Sequence, residues 1–332
     1  MVTKKYTKNI VTDFTPPPMN DDSMHEYKMM MEDQQKAGNS VEVNLLYIIQ
    51  DSVVKGSFHM GASWLMNLKG TKPVQMELAN THDADEILAF AGSDPDNPHE
   101  LNGEIELWLE DEKYIINKSC MVFIPKGMKH CPMIIRKIEK PIFGYGGVPV
   151  SNYGRPWEEK YQGTSYERKK GSPALKYAKY IVPAMEQPAM PPPNPEYIKM
   201  MEDQQKAGNS IEFKVFLNIQ DSVVKGAFGM GGSWLLNLKG TKPVQVELSH
   251  THDCDEILGF AGSDPYNPRD LNGEIEIWLE DEKHIISKSC LIFIPGGMKH
   301  CPLFVRKIDK PIFCYGATSN SNYERPWEEK YD

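Results

Sequence analysis

The sequence predicts an all-β protein made of two copies of one β-barrel module. Residues 31–160 align with residues 201–330 at a constant offset of 170 without a gap, and 95 of these 130 positions are identical. A repeat of that length is a whole domain rather than the unit of a solenoid, so the chain is a domain duplication. Inside each copy, short runs rich in Val, Ile and Phe alternate with Gly- and Pro-containing turns, which is typical of a β-sandwich or barrel.

In chain order, the sequence divides into an N-terminal module with a Pro-rich arm (1–161), a linker or extended arm (162–196) and a C-terminal module (197–332). The best helix candidate is residues 196–208, which end at Gly208 as a helix commonly does. Poly-Pro cannot join a central strand of a sheet.

The Pro-rich arms at 12–24 and 183–195 are therefore expected to lie across a neighbour. They could cross between the two modules or between two chains. A linker of this composition is extended rather than globular.

Composition excludes several classes of function. The chain of 332 residues has 37 basic and 46 acidic residues and a net charge of −9, so we expect no nucleic-acid partner. No apolar run approaches the ~20 residues of a membrane span, and the N-terminus lacks the apolar core of a secretory signal. Six Cys without a CxxC pair indicate reduced thiols, so we predict a cytoplasmic protein.

Four residues of the second module have the types and spacing of a metal site. His250, His252 and Glu256 are separated by even numbers, so in one strand all three would share a face. A Pro/Gly turn precedes His300 and can bring it onto an adjacent strand. Three imidazoles and one carboxylate suit a divalent ion such as Mn, Zn or Fe and leave two coordination positions open.

These stretches resemble the two motifs of the cupin family. HTHDCDEILGFAG (250–262) is similar to the first motif, although its last spacing is one residue shorter, and PGGMKH (295–300) is similar to the second. Phe304 stands where the second motif has an Asn. The residues that match are His250, His252, Glu256, Gly262, Pro295, Gly297 and His300.

Because both copies carry the motifs, the chain resembles a bicupin. The resemblance implies two tandem cupin (jelly-roll) β-barrels with short N-terminal arms or helices and a metal ion in the barrel mouth. Cupin barrels tend to associate, so the resemblance also implies a homo-oligomer.

The first copy departs from this pattern at one ligand position. Asn80 stands where the second copy has His250, whereas His82, Glu86 and His130 are retained. Two interpretations stay open: a second metal site in which the Asn carbonyl is a ligand, and a degenerate site kept for its fold and interface.

Five further residues are candidates for a substrate pocket, each with a structural alternative. His59 could reach a pocket or be structural, and Trp64 and Trp234 could line its mouth or pack in the core. Lys214 and Asn218 lie in segment 211–220, which shares only three identities with 41–50. That segment could border the pocket or an asymmetric interface.

An open metal site in a barrel supports three functions. The ion could act as a Lewis acid and water activator on a small enolisable ketone or cyclic 1,3-diketone, giving hydrolytic C–C cleavage, a lyase or an isomerase reaction. Ring-opening cyclohydrolases of the cupin type are one such case. The alternatives are an Fe(II)-dependent dioxygenase and a non-catalytic module that binds a sugar or small acid. No catalytic residue is assigned by the sequence.

Overall fold

A computed structural model of the chain describes residues 4–14, 21–151, 153, 160–161, 174–185 and 195–321. It shows the predicted all-β fold, with two modules that each contain two antiparallel sheets. The first half comprises a 3-10 helix (Lys5–Asn9), β1 (Ile10–Val11), α1 (Asp21–Lys36), β2 (Ser40–Ile49), β3 (His59–Lys69), β4 (Val74–Glu77), β5 (Glu86–Gly92), β6 (Glu100–Leu109), β7 (Glu112–Lys118), β8 (Cys120–Ile124), β9 (His130–Ile138) and β10 (Ile142–Val148).

The second half repeats this order. It comprises a 3-10 helix (Ala178–Tyr180), β11 (Ile181–Pro183), α2 (Pro195–Lys206), β12 (Ser210–Ile219), β13 (Met230–Lys239), β14 (Val244–Glu247), β15 (Glu256–Gly262), β16 (Asp270–Leu279), β17 (Glu282–Lys288), β18 (Cys290–Ile294), β19 (His300–Ile308) and β20 (Ile312–Thr318). The helix predicted at 196–208 is confirmed as α2, and Gly208, just beyond it, has a positive φ of 81° that favours glycine.

Each module is a sandwich of a six-stranded and a four-stranded sheet. In the first module the strand orders are β11-β8-β5-β10-β3-β2 and β4-β9-β6-β7, and in the second they are β1-β18-β15-β20-β13-β12 and β14-β19-β16-β17. Buried Val, Ile and Leu side chains fill the space between the two sheets of each module. The small sheets have solvent-facing sides, which explains their alternating burial.

The two six-stranded sheets face each other across the boundary between the modules. Phe143 and Phe313 meet there with ring centroids 5.2 Å apart. The hydroxyl of Tyr315 donates to the hydroxyl of Tyr47 at 2.7 Å. The Tyr47 hydroxyl in turn donates to the carbonyl of Phe260 at 3.2 Å. One apolar core is therefore shared by both modules.

The divergent strands β2 and β12 take part in this boundary. Asn44 Nδ2 donates to the carbonyl of Pro265 at 2.9 Å, and Lys214 Nζ donates to that of Pro95 at 3.4 Å. Residues 44 and 214 are equivalent in the two copies, as are residues 95 and 265. The contacts are thus related by an approximate two-fold axis, and an interface is one of the two roles that the sequence left open for this strand.

The segments that precede the modules are exchanged between them. Strand β1, at the N-terminus, pairs with β18 of the second module, and β11 pairs with β8 of the first. The Glu282 carboxylate accepts hydrogen bonds from the amides of Lys5 and Tyr6 at 2.7 and 3.0 Å. The equivalent Glu112 accepts from the amides of residues 176 and 177.

The arms therefore cross between modules of one chain where they are described. Residues 15–20 and 186–194, which make up most of the Pro-rich segments, lie outside the described residues, as does 162–173 of the predicted linker. The boundaries 1–161, 162–196 and 197–332 stay predictions. No helix in the described ranges is long and apolar enough to cross a membrane.

Candidate metal centres

The four predicted ligands of the second module come together in the folded chain. One ligand atom from each of His250, His252, Glu256 and His300 lies within 4.8 Å of the others, and all four residues are buried. Glu256 Oε2 lies 3.1 Å from His252 Nε2 and 3.2 Å from His300 Nε2. We refer to these four residues as centre 2.

The ligands reach this point from both sheets rather than from one strand. Strand β14 ends at Glu247, His250 forms an isolated bridge with His300, and β15 begins only at Glu256. The expectation that three ligands share one face of a single strand is therefore wrong. They converge because the chain crosses here from the four-stranded to the six-stranded sheet. The prediction that the Pro/Gly turn brings His300 to the others is confirmed.

Backbone carbonyls orient all three imidazoles. The Nδ1 atoms of His250, His252 and His300 lie 2.8, 2.7 and 3.0 Å from the carbonyl oxygens of Leu248, Cys254 and Met298. Each carbonyl lies two residues away along the chain. Because a carbonyl only accepts, each Nδ1 must carry a proton, and the Nε2 atom is turned into the cluster, where it can donate to an acceptor such as Glu256 when protonated and bind a cation when deprotonated.

The carboxylate of centre 2 stays charged. Burial alone would raise the pKa of Glu256, but the imidazoles of His252 and His300 more than offset this and hold that pKa well below its usual range. His300 Nε2 lies 3.2 Å from Glu256 Oε2 and has no other hydrogen-bond partner among the described residues. A buried, anionic oxygen among imidazole nitrogens is the donor set of a divalent cation site.

Centre 1, in the first module, consists of Asn80, His82, Glu86 and His130. The ligand atoms of its two imidazoles and its carboxylate also lie within 4.8 Å of one another. Glu86 Oε2 lies 3.1 Å from both His82 Nε2 and His130 Nε2. The Nδ1 atoms of the imidazoles again contact carbonyls two residues away, at 2.7 and 3.0 Å.

Asn80 occupies the backbone position of His250. Its Nδ2 donates to the Leu78 carbonyl at 3.1 Å, as His250 Nδ1 does to Leu248. Asn80 Oδ1 is buried and has no hydrogen-bond partner among the described residues. A buried acceptor of this kind needs a donor or a cation, so the residues of centre 1 also fit a divalent ion.

A polar layer covers centre 1 on one side. The Tyr153 hydroxyl donates to Glu86 Oε1 at 3.2 Å, and the Tyr153 ring lies 5.0 Å from the ring of His59. His59 Nδ1 in turn lies 3.1 Å from Gln50 Oε1. His59 was among the pocket candidates from the sequence, whereas Tyr153 and Gln50 were not. The stretch around Tyr153 is nearly identical in both copies, which is the signal that could have revealed it.

Strand register places His59 on the same side of the sheet as centre 1. Residues 59, 61, 63 and 65 of β3 share a face of the sheet. Leu65 is paired with Ile142 of β10, which is paired with Gly92 of β5 on its other side. Gly92 and Glu86 lie on the same face of β5, so His59 shares that face. Asn218 is placed in the same way in the second module. It aligns through Gly231 and Gly316 with Leu258, on the Glu256 face.

Three other pocket candidates lie on the opposite face. Trp64 and Trp234 are fully buried and pack against Phe143 and Phe313 in the core shared by the modules. Core packing, the alternative considered for them, is what the structure shows. Lys214 pairs with Trp234 and reaches the Pro95 carbonyl across the boundary, so it does not line the barrel interior.

Comparison with known proteins gives a structural answer only. No protein-family model and no curated protein sequence matches the chain. A variant of oxalate decarboxylase from Bacillus subtilis is similar in structure, with a TM-score of 0.52 and 10% identity over 95% of this chain and 87% of that one. The structure of the same enzyme at pH 4.6 has a TM-score of 0.51 and 11% identity, over 88% of this chain and 74% of that one.

A further structure of that enzyme, whose Mn(II) centres were its subject, gives a TM-score of 0.51 and 9% identity over 95% of this chain and 87% of that one. At such low identity the likeness concerns the fold. The two modules of paired antiparallel sheets in this chain are consistent with that likeness. The chain has the bicupin fold, two cupin β-barrels in tandem.

Proposed function

We propose that the chain is a metal-dependent bicupin enzyme acting on a small substrate with two oxygen donors. The observation that carries this proposal is the pair of buried clusters in which imidazole Nε2 atoms and a carboxylate oxygen point to one place. Oxalate decarboxylase, with its Mn(II) centres, acts on a substrate of that kind. A cyclic 1,3-diketone, or an enolisable ketone with a second oxygen such as a hydroxy-ketone, also offers two oxygen donors.

A divalent cation held by these residues would polarise a carbonyl oxygen and lower the pKa of water next to it. Mn, Zn and Fe all suit the donor set of centre 2.

The residues of the chain prepare the site in three ways. The carbonyl contacts at Nδ1 fix the tautomer and direction of each imidazole. The charge of Glu256 offsets part of the cation's charge in a buried place. The burial of all four ligands excludes water, which strengthens every electrostatic interaction with the substrate.

We further propose cleavage or rearrangement of a bond next to a carbonyl, as in a lyase, an isomerase or the hydrolytic ring opening of a 1,3-diketone. In centre 1, His59 offers a hydrogen-bonding group on the face of Glu86, held by Gln50. In centre 2 the equivalent residue is Gly229, and Asn218 is the polar side chain on the same face.

The test is turnover by the metal-stripped and metal-reconstituted chain. Oxalate, a cyclic 1,3-diketone and a hydroxy-ketone are offered under strict anoxia and in air. We expect product from at least one compound without oxygen, only after Mn, Zn or Fe is restored. A strict oxygen requirement would instead identify a dioxygenase, and metal binding without any turnover would favour a binding module.

Matched variants assign the activity to a centre. His82→Ala should remove one metal equivalent from centre 1, and His252→Ala one from centre 2, each read by elemental analysis. A small molecule is the partner we propose for both centres. Homo-oligomerisation and a cytoplasmic location stay predictions, and sedimentation of the purified chain checks the first.

A further inference from the structure

We infer that Asn80 gives the two centres different cation preferences, so that centre 1 favours Mn²⁺ over Zn²⁺ more strongly than centre 2 does. The inference rests on the proposed function in one respect, that both clusters hold a divalent cation. It goes further in assigning the selectivity to one residue. The chain carries its own reference, since the second module has His250 at the equivalent place.

The backbone sets the two side chains in equivalent positions. Asn80 and His130 exchange two backbone hydrogen bonds at 3.0 Å each, and His250 and His300 exchange the same two bonds at the same distances. Both side chains then donate to the carbonyl of the residue two before them. In centre 2 the His250 ring lies 4.1 Å from that of His300, and we infer from the shared backbone pairing that Asn80 is placed next to His130 in the same way.

The orientation of the Asn80 amide leaves an oxygen as its donor atom toward a cation. Because Nδ2 is used by the Leu78 carbonyl, Oδ1 is the atom without a hydrogen-bond partner in the described part of the chain. Asn80 is only 1% exposed, so bulk water does not satisfy this oxygen. An uncompensated buried acceptor is unfavourable, and a cation would satisfy it.

Replacing one imidazole by an amide oxygen changes the chemistry of the donor set. Centre 2 offers three nitrogens and a carboxylate, whereas centre 1 offers two nitrogens, an amide oxygen and a carboxylate. Imidazole suits Zn and Fe, and carbonyl and carboxylate oxygens suit Mn, so the loss of one imidazole weakens Zn binding more than Mn binding.

The other differences near the ligands do not change the donor atoms. Glu86 Oε2 lies 3.1 Å from the Nε2 atoms of His82 and His130. Glu256 Oε2 lies at the same distance from His252 Nε2. Cys254 replaces Ala84, but its Sγ lies 3.6 Å from Nδ1 of His252, the nitrogen turned away from the cluster.

The experiment measures each centre separately in the full chain. His252→Ala with His300→Ala leaves centre 1 alone, and His82→Ala with His130→Ala leaves centre 2 alone. Each metal-stripped protein is dialysed against Mn²⁺ and Zn²⁺, separately and in competition, and the bound metal is counted. We expect the ratio of Zn to Mn affinity to be at least about tenfold lower at centre 1.

Reciprocal swaps then assign the difference to the residue. In the centre-1 protein, Asn80→His should raise the ratio, and in the centre-2 protein, His250→Asn should lower it by a similar factor. Should the larger side chain at residue 80 prevent folding, as judged by circular dichroism, His250→Asn decides the matter alone.

Equal ratios at the two centres, a ratio unmoved by His250→Asn, or cation binding at centre 2 only would each overturn the inference. These outcomes leave the proposed function standing. Binding of neither cation at either centre would overturn both.

Discussion

At the scale of single residues, the candidate centres supply their own supporting contacts from within the motif. Five imidazoles, three in centre 2 and two in centre 1, use Nδ1 on a carbonyl two residues away. No remote carboxylate is needed to hold the ring. A short sequence motif can therefore specify both a candidate ligand and its orientation, which is why the spacing predicted residues that the fold brings together.

His59 is the residue whose replacement best separates substrate binding from metal binding. We expect His59→Gly, which installs the residue of the second module, to lower kcat/KM by about tenfold if centre 1 turns over substrate, since one positioned hydrogen-bonding group is lost. The metal content of centre 1 should not change, because His59 contacts Gln50 and Tyr153 rather than a ligand.

Steady-state kinetics and elemental analysis on the same preparation check this prediction. Gln50→Ala, which frees the ring of His59 without removing it, is the intermediate variant. Loss of metal in His59→Gly, or full activity in both variants, would contradict the role given to His59.

The sequence predicted the ligands but not the layer above them. His82 and Glu86 lie in one short motif and His130 in a second, and both motifs are recognisable in the sequence. Tyr153 comes from the segment after the last strand and meets Glu86 only through the fold. Side chains brought together across such a distance leave no local pattern.

At the scale of elements, the six-stranded sheets explain which predictions from periodicity failed. One face of each sheet packs on its own barrel and the other on the opposite module. Strands β8 and β18 are accordingly buried at every position. When both faces are apolar, a period of two shows which residues share a face but not which face is the barrel interior. For this reason Trp64 and Lys214, predicted as pocket residues, lie on the sheet face that packs against the opposite module.

The arms should detach in acid before the barrels unfold. Hydrogen bonds from the amides of Tyr6 and Lys5 lower the pKa of Glu282. A carboxyl whose pKa is lower in the folded state stabilises that state at pH values above its unfolded pKa of about 4.3. The stabilisation is lost as the pH falls through the pKa of the folded state. We therefore expect faster amide exchange in the N-terminal arm and β18 below about pH 4.

Hydrogen exchange followed by mass spectrometry at pH 3.5 and 6.5, corrected for intrinsic rates, measures this. Glu282→Gln should show the faster arm exchange at both pH values, because the amide side chain carries no charge to lose. Uniform loss of protection over both barrels at pH 3.5 would show that the arms are not the first part to open.

Position 259 on β15 must be glycine because the ring of Tyr315, from the same sheet, occupies the space of a side chain. A Cβ there would lie 2.4 Å from Cζ of Tyr315, whose hydroxyl reaches Tyr47. We expect Gly259→Ala to displace that ring and to lower the free energy of unfolding by about 1–3 kcal/mol. The first module has Ala89 at the equivalent position, buried without such a clash, so urea denaturation of Ala89→Gly is the control. Equal effects of the two changes would contradict the explanation.

At the scale of the whole molecule, the chain resembles a dimer of its own halves. The contacts at residues 44 and 214 and the two exchanged arms obey an approximate two-fold axis, as an isologous interface does. The tyrosine contact breaks that symmetry, because Tyr47 of the first module is matched by Leu217 in the second. A single chain permits this, since each half can adapt to one fixed neighbour.

The shared core makes one further prediction, that the two modules unfold together. Phe313 belongs to the second module, yet its ring lies 5.2 and 5.7 Å from those of Phe143 and Tyr145 in the first. We expect Phe313→Ala to lower the free energy of unfolding by about 3–5 kcal/mol, since a large buried ring is lost. Calorimetry should show one transition for the parent chain and one, at lower temperature, for the variant.

Phe90→Ala supplies the contrast, because Phe90 packs between the two sheets of the first module and away from the boundary. If the modules were independent, Phe313→Ala would leave amide protection in the strands of the first module unchanged and only Phe90→Ala would reduce it. If the core between the six-stranded sheets couples them, both variants should reduce protection in both modules, because opening either barrel exposes the aromatic rings on which the other depends.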